Sequence, residues 1–155
     1  MLLCLLYVSY IVLCFCISDN TNICSCRELR PHPNVVQMLG VSSDGPYPVM
    51  ILEYCDGGSL DSKLFDMSKV WTVADQLRTV TGIAKGLYHL HKNQIIHRDI
   101  SARNILMNFN QPKISDFGMS RFVADTKKGS TTKSNIGPIR WMAPESLKNQ
   151  SYSTK

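Results

Sequence analysis

Four short segments in the second half of the chain carry residue types from which a catalytic site could be built. Residues 97–99 read His-Arg-Asp, Asn104 follows, residues 116–118 read Asp-Phe-Gly, and residues 143–145 read Ala-Pro-Glu. The side chains of Asn104 and Asp116 offer hard oxygen donors, which suit Mg²⁺. Each segment alone is a weak signal, because a single Asp in a turn is more often a cap or a solvated group. The order and spacing of these segments together, rather than any one of them, indicate a catalytic site.

Two apolar stretches before these segments predict strands. Residues 35–41 and 49–53 are short and bounded by Pro, Gly, Ser and Asp, which is typical of strands joined by a turn, here over residues 42–46. A polar break that contains glycine follows at residues 55–59. The two strands would lie beside this break.

A longer pattern predicts a helix that leads to the polar segments. Residues at three- and four-residue spacing would form its apolar face, and the helix would have about five turns, face a core and end near Asn93. Residues 104–107 predict a short strand before a turn at 108–112, and residues 119–137 predict a long loop of the kind that is usually functional or disordered. The residues of the apolar face are Leu77, Val80, Ile83, Ala84, Leu87, Leu90 and His91.

Composition narrows the class of protein. The 155 residues, 44% hydrophobic and 19% charged, match one ordinary domain and exclude a disordered tail. A net charge of +5 suits an anionic ligand such as a nucleotide, but no sharp basic block indicates a nucleic-acid partner. Five of the six cysteines precede residue 27, so the rest of the chain is predicted to be a reduced, cytosolic domain without a disulfide framework.

Residues 1–17 differ from the rest because they are apolar and uncharged. They are at the lower length limit of a membrane-spanning helix, and Arg27 and Arg30 would then favour a cytosolic location for the following domain. A secretory signal peptide is a second interpretation, but the segment lacks a positively charged start and no clear cleavage site follows it. A translated non-coding stretch or truncated gene model is the third interpretation. The predicted organisation is this apolar segment, a linker over residues 18–27 and a patterned part over residues 28–155.

Together the four segments resemble the signature set of protein kinases, over about residues 28–155. The resemblance implies an α+β, two-lobed kinase fold, incomplete here, with a remnant of the sheet lobe and the first half of the helical lobe. It implies phosphoryl transfer from ATP, with Mg²⁺, to a protein hydroxyl. Asp99 would accept the hydroxyl proton, and Asn104 and Asp116 would bind Mg²⁺. The catalytic residues are then Asp99, Arg103 and Asn104.

The resemblance also places the adenine site. Residues 50–60 look like the strand, hinge and first turn of the next helix. Leu52 would be the gatekeeper, the backbone carbonyl of Glu53 and the amide of Cys55 would pair with adenine, and Leu106 would form the floor. The alternative, that Cys55 is simply a small buried hydrophobic residue, is compatible with the same pattern. The implied cofactor-binding residues are Leu52, Glu53, Cys55, Gly58, Leu106 and Asp116.

The same resemblance implies roles for three further residues. His97 and Phe117 would stack within an internal hydrophobic spine. Arg98 would meet a phosphate on the loop after residue 118. His97 could equally be an ordinary core histidine whose hydrogen bonds are satisfied. The two interpretations of His97 agree, because the role that the family implies is also structural.

The acceptor hydroxyl stays open. Ser101 stands where Ser/Thr kinases typically have Lys, while Arg103 and residues 138–145 are similar to the tyrosine-kinase pattern. The long loop contains no tyrosine, and this mixture places the tyrosine-kinase-like group ahead of a true tyrosine kinase. The hydroxyl residues that the loop offers include Ser130, Thr131, Thr132 and Ser134.

Several expected kinase parts are missing from the pattern. No G-x-G-x-x-G motif precedes residue 40, no lysine precedes Lys63, and Asn22 stands near the position expected for the helix glutamate. A helix that anchors the catalytic loop would begin beyond Lys155, and a kinase domain has on the order of 250 residues. We therefore expect marginal folding and negligible phosphotransfer from this chain alone. A pseudokinase or binding module, membrane-anchored through residues 1–17, or a non-functional gene fragment, is the alternative.

Overall fold

The computed structural model describes residues 10–13, 29–42, 49–66, 68, 70–116, 120–122 and 139–149. In these ranges, a small antiparallel sheet precedes a mainly helical part. Its strands are β1 (Tyr10–Leu13), β2 (Met38–Ser42) and β3 (Val49–Glu53), in the order β1-β3-β2. The bounds of β3 are those that the sequence predicts.

The other predicted strand is displaced. It begins at Met38 rather than at Val35, and a bulge lies between Met38 and Gly40. Val35 and Val36 are buried and connect to a different strand, because the Val36 amide donates to the Ile114 carbonyl at 2.8 Å. The apolar residues 35–41 are therefore divided between two partner strands, and no local sequence pattern reveals this division.

Strand β1 lies within the apolar segment 1–17. It pairs with β3 in the register Tyr10 with Glu53 and Leu13 with Met50. The four described residues of the segment thus form a strand where one interpretation expects a spanning helix; its other residues lie outside the described ranges. None of the helices in the described part of the chain combines the length and apolar character that crossing a bilayer requires.

After the sheet come α1 (Leu60–Phe65) and the long helix α2 (Val73–Lys92). Thr72 caps α2 in a capping box with Asp75: the Asp75 amide donates to the Thr72 hydroxyl at 3.2 Å, and the Thr72 amide donates to the Asp75 carboxylate at 3.2 Å. The helix ends with Asn93 as C-cap, as predicted, but begins four residues before the first residue of the predicted pattern.

The predicted core face of α2 is partly wrong. Leu77 and Val80 are 63% and 65% exposed, whereas two glycines of the helix, Gly82 and Gly86, are buried. A Cβ at Gly82 would lie 2.5 Å from a side-chain carbon of Pro112, so the helix and the neighbouring strand approach too closely for larger side chains. Of the predicted face, Leu90 is buried in the core, and Ile83 and Leu87 pack against it.

The remaining described elements follow α2 along the chain. They are β4 (Ile95–Ile96), a 3₁₀ turn (Ala102–Asn104), β5 (Ile105–Asn108), β6 (Gln111–Ile114), β7 (Arg121–Phe122), a second 3₁₀ turn (Ile139–Trp141) and α3 (Pro144–Asn149).

Strands β5 and β6 form a hairpin with the register Ile105 to Ile114 and Asn108 to Gln111. The predicted turn 108–112 is thus shorter, with Phe109 and Asn110 at its tip. In the predicted long loop, β7 pairs with β4, and residues 123–137 lie outside the described ranges. The main core cluster consists of Val35, Leu60, Leu90, Ile95, Ile105, Met107 and Ile114.

Candidate active site

The segment after β4 is organised around the buried ring of His97. Its Nε2 lies 2.9 Å from the Ser115 carbonyl, and the Asp99 amide donates to its Nδ1 at 3.3 Å. Because Nδ1 accepts, the ring carries its proton on Nε2 and donates to Ser115. Burial lowers the pKa of His97, which favours this neutral form, although Ser115, Asp116 and Asp99 oppose the shift. His97 thus holds the backbone of Asp99 in place.

The Asp99 carboxylate is buried and paired with the guanidinium of Arg103. The Nη2 atom of Arg103 lies 3.1 Å from Oδ1 and 3.0 Å from Oδ2 of Asp99. The 3₁₀ turn places Arg103 four residues after Asp99, so both belong to one short loop. The contact orients the carboxylate, and the Arg103 side chain is 51% exposed at the edge of the site.

Asn104 connects this loop to the chain that leads to Asp116. Its side-chain amide donates to the Asp99 carbonyl at 2.8 Å, so its side-chain oxygen faces away from that bond. Its backbone carbonyl accepts from the Ser115 amide at 2.8 Å and from the Ser115 hydroxyl at 3.0 Å. Because Ser115 directly precedes Asp116, these bonds bring Asp116 beside Asn104.

Asp116 is exposed and has a φ of 60°. Asp tolerates this left-handed region better than most residues. Phe117 and Gly118, which follow it in the motif, lie outside the described residues, as does the predicted stacking of Phe117 with His97. Arg98, predicted to meet a loop phosphate, has a φ of 70°; the loop residues it would meet also lie outside the described ranges.

The predicted adenine site contains an apolar wall. Leu52 and Cys55 are buried in one cluster with Val36, and Leu106 packs against it. Burial, assisted by the charge of Glu53, raises the pKa of Cys55 to about 11, so the thiol stays protonated at neutral pH. Leu52, Cys55 and Leu106, which lie far apart in sequence, are thus brought together, and Cys55 is a small buried hydrophobe.

Two glycines attach the hinge to β5. The Gly57 amide donates to the Met107 carbonyl at 2.8 Å, and the Met107 amide donates to the Gly58 carbonyl at 2.8 Å. A Cβ at Gly57 would lie 2.6 Å from the Met107 carbonyl oxygen, whereas Gly58 has a φ of +66° and open space around it. These bonds hold β5, which contains Leu106 and Met107, against the predicted hinge.

Sequence reasoning missed two contacts of this region. The Lys113 ammonium donates to the Glu53 carboxylate at 2.8 Å, and the Gln37 amide donates to the same oxygen at 2.7 Å. Ser115, whose bonds join His97 to Asn104, was also missed. No local signal could find the Lys113–Glu53 pair, because the two residues are separated by 60 positions.

The donor chemistry fits Mg²⁺ with a nucleotide. Asn104 and Asp116 offer an amide oxygen and a carboxylate, the hard donors that Mg²⁺ prefers. Within the described ranges, no group of three or more His, Cys, Asp and Glu residues could hold a metal by itself. Mg²⁺ would therefore take its other ligands from water and phosphates, as it commonly does.

The buried Asp99 with its Arg103 partner, Asn104 and Asp116 are the groups from which the sequence predicts a protein-kinase site. The sequence model of the family "Protein tyrosine and serine/threonine kinase" matches residues 21–155. The chain belongs to this family, and its described strands and helices fit an incomplete two-lobed kinase fold.

The chain is similar to receptors and receptor-like kinases. It is 39% identical over 127 residues to ephrin type-B receptor 2 of Gallus gallus and 40% identical over 128 residues to ephrin type-B receptor 4 of Homo sapiens. It is 35% identical over 132 residues to cysteine-rich receptor-like protein kinase 38 of Arabidopsis thaliana. These alignments cover 79%, 79% and 80% of the chain but only 13%, 13% and 20% of the relatives.

Proposed function

We propose that the protein is the central part of an ATP-dependent protein kinase that transfers a phosphoryl group from Mg-ATP to a hydroxyl of a protein substrate. The observation that carries this proposal is the buried Asp99 carboxylate, held by Arg103 and joined through Asn104 to the segment that bears Asp116. Phosphoryl transfer requires positioning and charge stabilisation rather than covalent work by the protein.

Each residue has one task in this proposal. Asp99 accepts the proton of the attacking hydroxyl and orients its oxygen for in-line attack, while Arg103 keeps the carboxylate facing the substrate. Asn104 and Asp116 hold Mg²⁺, which when bound neutralises charge on the phosphates. Neutral His97 does not exchange protons with the substrate; it fixes the backbone of Asp99.

The nucleotide base is proposed to lie against the apolar wall of the hinge. Leu52 and Leu106 pack against the base, and the Glu53 carbonyl and the Cys55 amide pair with its polar edge. Gly58 has open space around its Cβ position as far as the described residues extend, and this end of the hinge would accept the sugar. The protonated Cys55 thiol adds no charge beside the base.

The acceptor is proposed to be a protein Ser/Thr or Tyr hydroxyl, with the tyrosine-kinase-like group preferred. Ser101 at the position where Ser/Thr kinases typically have Lys, and Arg103 before Asn104, support that placement. Parallel assays with a tyrosine copolymer and with a Ser/Thr-rich protein distinguish the two acceptors. These assays apply to the kinase of which these residues are a part.

The proposed location of the kinase part is the cytoplasm, and association of residues 1–17 with a membrane is a separate proposal. The support for membrane association is that the relatives include receptors and a receptor-like kinase. Cell fractionation of the chain with and without residues 1–17 tests this: recovery of both forms in the soluble fraction contradicts membrane association.

Nucleotide binding tests the function directly. The full chain is titrated with a fluorescent ATP analogue with and without Mg²⁺, and we expect Mg²⁺ to strengthen binding. Asp116→Asn should remove the effect of Mg²⁺, whereas Asp99→Asn should retain it, because Asp99 faces the hydroxyl. Asp66→Asn, at an exposed position after α1, is the control. Binding that is absent, or that ignores Mg²⁺ in the unsubstituted chain, contradicts the proposal.

A further inference from the structure

Two histidines from distant parts of the chain stack on each other. His32 lies before β2, and His89 lies in the last turn of α2. The centroids of their rings are 4.6 Å apart, and the ring planes are inclined by 18°. We call this pair the histidine stack. Neither residue is among the candidate catalytic or nucleotide-binding residues, so the stack is separate from the site described above.

Hydrogen bonds determine which ring nitrogens carry protons in the histidine stack. The Nδ1 atom of His32 accepts from the Asn34 amide at 3.1 Å, so it carries no proton and the ring is neutral. The Nε2 atom of His89 lies 2.9 Å from the Arg30 carbonyl, which can only accept, so this nitrogen donates. Each ring therefore holds the short segment at residues 29–34, His32 from within it and His89 from α2.

The surroundings of His32 oppose a proton on its ring. Burial lowers the pKa of His32 below its ordinary 6.5, and the charges of protonated His89, Lys113 and Lys85 lower it further. His89 and Lys85 belong to α2 and Lys113 belongs to β6, so both elements contribute. A proton gained by His32 would add charge to surroundings that are already positive.

The other charged groups that the structure describes around the histidine stack are mainly positive. Arg30 is exposed on the same segment, and the last turn of α2 also carries His91 and Lys92. The Glu53 carboxylate is engaged by the Lys113 ammonium, which donates to it at 2.8 Å. A proton added to the stack therefore meets mainly cations.

A short run of chain connects the histidine stack to the apolar wall of the hinge. The Asn34 side-chain amide donates to the Pro112 carbonyl at 2.8 Å, and the Asn34 carbonyl accepts from the Ile114 amide at 2.9 Å. Val36 donates to the Ile114 carbonyl and is buried in the apolar cluster of the hinge. A change at the stack therefore reaches β6 and the hinge through a few hydrogen bonds.

We propose that the histidine stack is an acid-sensitive latch, which holds residues 29–36 against α2 at neutral pH and releases them when His32 takes up a proton. The proton comes from solvent and binds Nδ1, so the Asn34 amide loses its acceptor and the ring gains a charge beside His89. Release loosens Val36 in the wall of the hinge. The consequence for nucleotide binding rests on the proposed function, whereas the opening of the latch does not.

Amide hydrogen exchange measured by NMR tests the latch in the full chain without nucleotide. The amides of Val36 and Ile114 report on the latch, because their hydrogen bonds join the segment to β6. The amide of the buried residue Thr79 in α2 is the internal reference. Rates are divided by the intrinsic exchange rate at each pH. From about pH 7.5 to about pH 5.5, we expect the Val36 and Ile114 amides to open about tenfold more often and Thr79 to change much less.

The ring of His32 supplies a second measurement on the unsubstituted chain. Its chemical shifts give the pH at which it titrates. The opening of Val36 should follow that titration with a slope of at most about tenfold per pH unit, because one proton is taken up. This comparison decides the proposal even if a variant fails to fold.

Two substitutions separate His32 from the other histidines. His32→Asn offers an oxygen acceptor to the Asn34 amide but cannot take up a proton in this pH range, so the acid response of Val36 should disappear. His91→Asn makes the same change in the last turn of α2, outside the histidine stack, and should keep the full response.

Nucleotide binding measures the consequence of opening. Over the same pH range, the affinity for the fluorescent ATP analogue should fall about threefold more in the unsubstituted chain than in His32→Asn. Titration of the phosphates is common to both proteins and cancels in this comparison. Absence of nucleotide binding in both proteins would contradict the proposed function, while the exchange data would still decide the latch.

Three results would overturn the proposal. The first is an equal acid response of Val36 and Thr79, which would indicate unfolding of the whole chain. The second is an acid response in His32→Asn equal to that of the unsubstituted chain. The third is an opening that follows the titration of His91 rather than that of His32.

Discussion

The attachment of the hinge to β5 makes a prediction that two neighbouring glycines can test. In Gly57→Ala, the new Cβ would lie 2.6 Å from the Met107 carbonyl oxygen and 2.9 Å from the Met107 Cβ. The backbone must move, which breaks the two 2.8 Å hydrogen bonds between the hinge and Met107. Loss of these bonds and overpacking together should lower the free energy of unfolding by roughly 2–4 kcal/mol.

Gly58→Ala is the matched control, because it adds the same methyl group one residue later. Among the described residues, no atom lies within 4 Å of the Cβ position there, so the φ of +66° is what opposes alanine. That strain should lower the free energy of unfolding by roughly 1 kcal/mol. Gly58→Asn should lower it less, since Asn tolerates the left-handed region.

Urea unfolding monitored by tryptophan fluorescence measures both effects, because one of the two tryptophans, Trp71, packs against the main core. Titration with the fluorescent ATP analogue should show a larger loss of affinity for Gly57→Ala, since the displaced hinge moves Cys55 away from Leu106. A Gly57→Ala protein as stable as the unsubstituted chain, or more stable than Gly58→Ala, would refute the reasoning.

Three further predictions concern α2, the buried ion pair and pH. Gly86→Ala should lower the free energy of unfolding by about 1–2 kcal/mol although alanine favours helices, because its Cβ would lie 2.5 Å from the Asn34 carbonyl oxygen. Lys113→Met should lower it by about 1–3 kcal/mol by leaving the Glu53 carboxylate without its cation, as measured by urea unfolding. Burial lowers the pKa of His97 below its ordinary 6.5, so below that pH the unfolded chain binds the proton more readily; the free energy of unfolding should therefore fall as the pH decreases from about 6.5 through the folded-state pKa.

Each of these predictions has its own control. Gly40→Ala, where the nearest atom would be 3.9 Å from the new Cβ, should not destabilise the protein. The double variant Glu53→Gln/Lys113→Met should regain part of the lost stability, and if it is less stable than Lys113→Met alone, the ion-pair explanation is wrong. Burial also lowers the pKa of His32, so His32→Asn removes the contribution of His32 to the pH dependence of the free energy of unfolding. A flat pH profile in that variant would contradict the role of His97.

Local patterns in the sequence predict the family and several elements of the fold. The spacing of residues 97–99, Asn104 and 116–118 identifies the kinase class, and the family match confirms it. The strand over residues 49–53 and the end of the long helix near Asn93 are also predicted correctly. These features depend on neighbours in sequence, such as capping groups and turn residues, which is why local reading succeeds.

Contacts between distant residues are decided only in the tertiary structure. The burial of Gly82 and Gly86 in place of Leu77 follows from the approach of β6 to α2, and the division of residues 35–41 follows from the bonds of Val36 to Ile114. Such contacts leave no periodic trace, because each partner is selected by its position in space. The kinase family can therefore be read in the sequence, whereas the packing that orients the candidate site residues exists only in the folded chain.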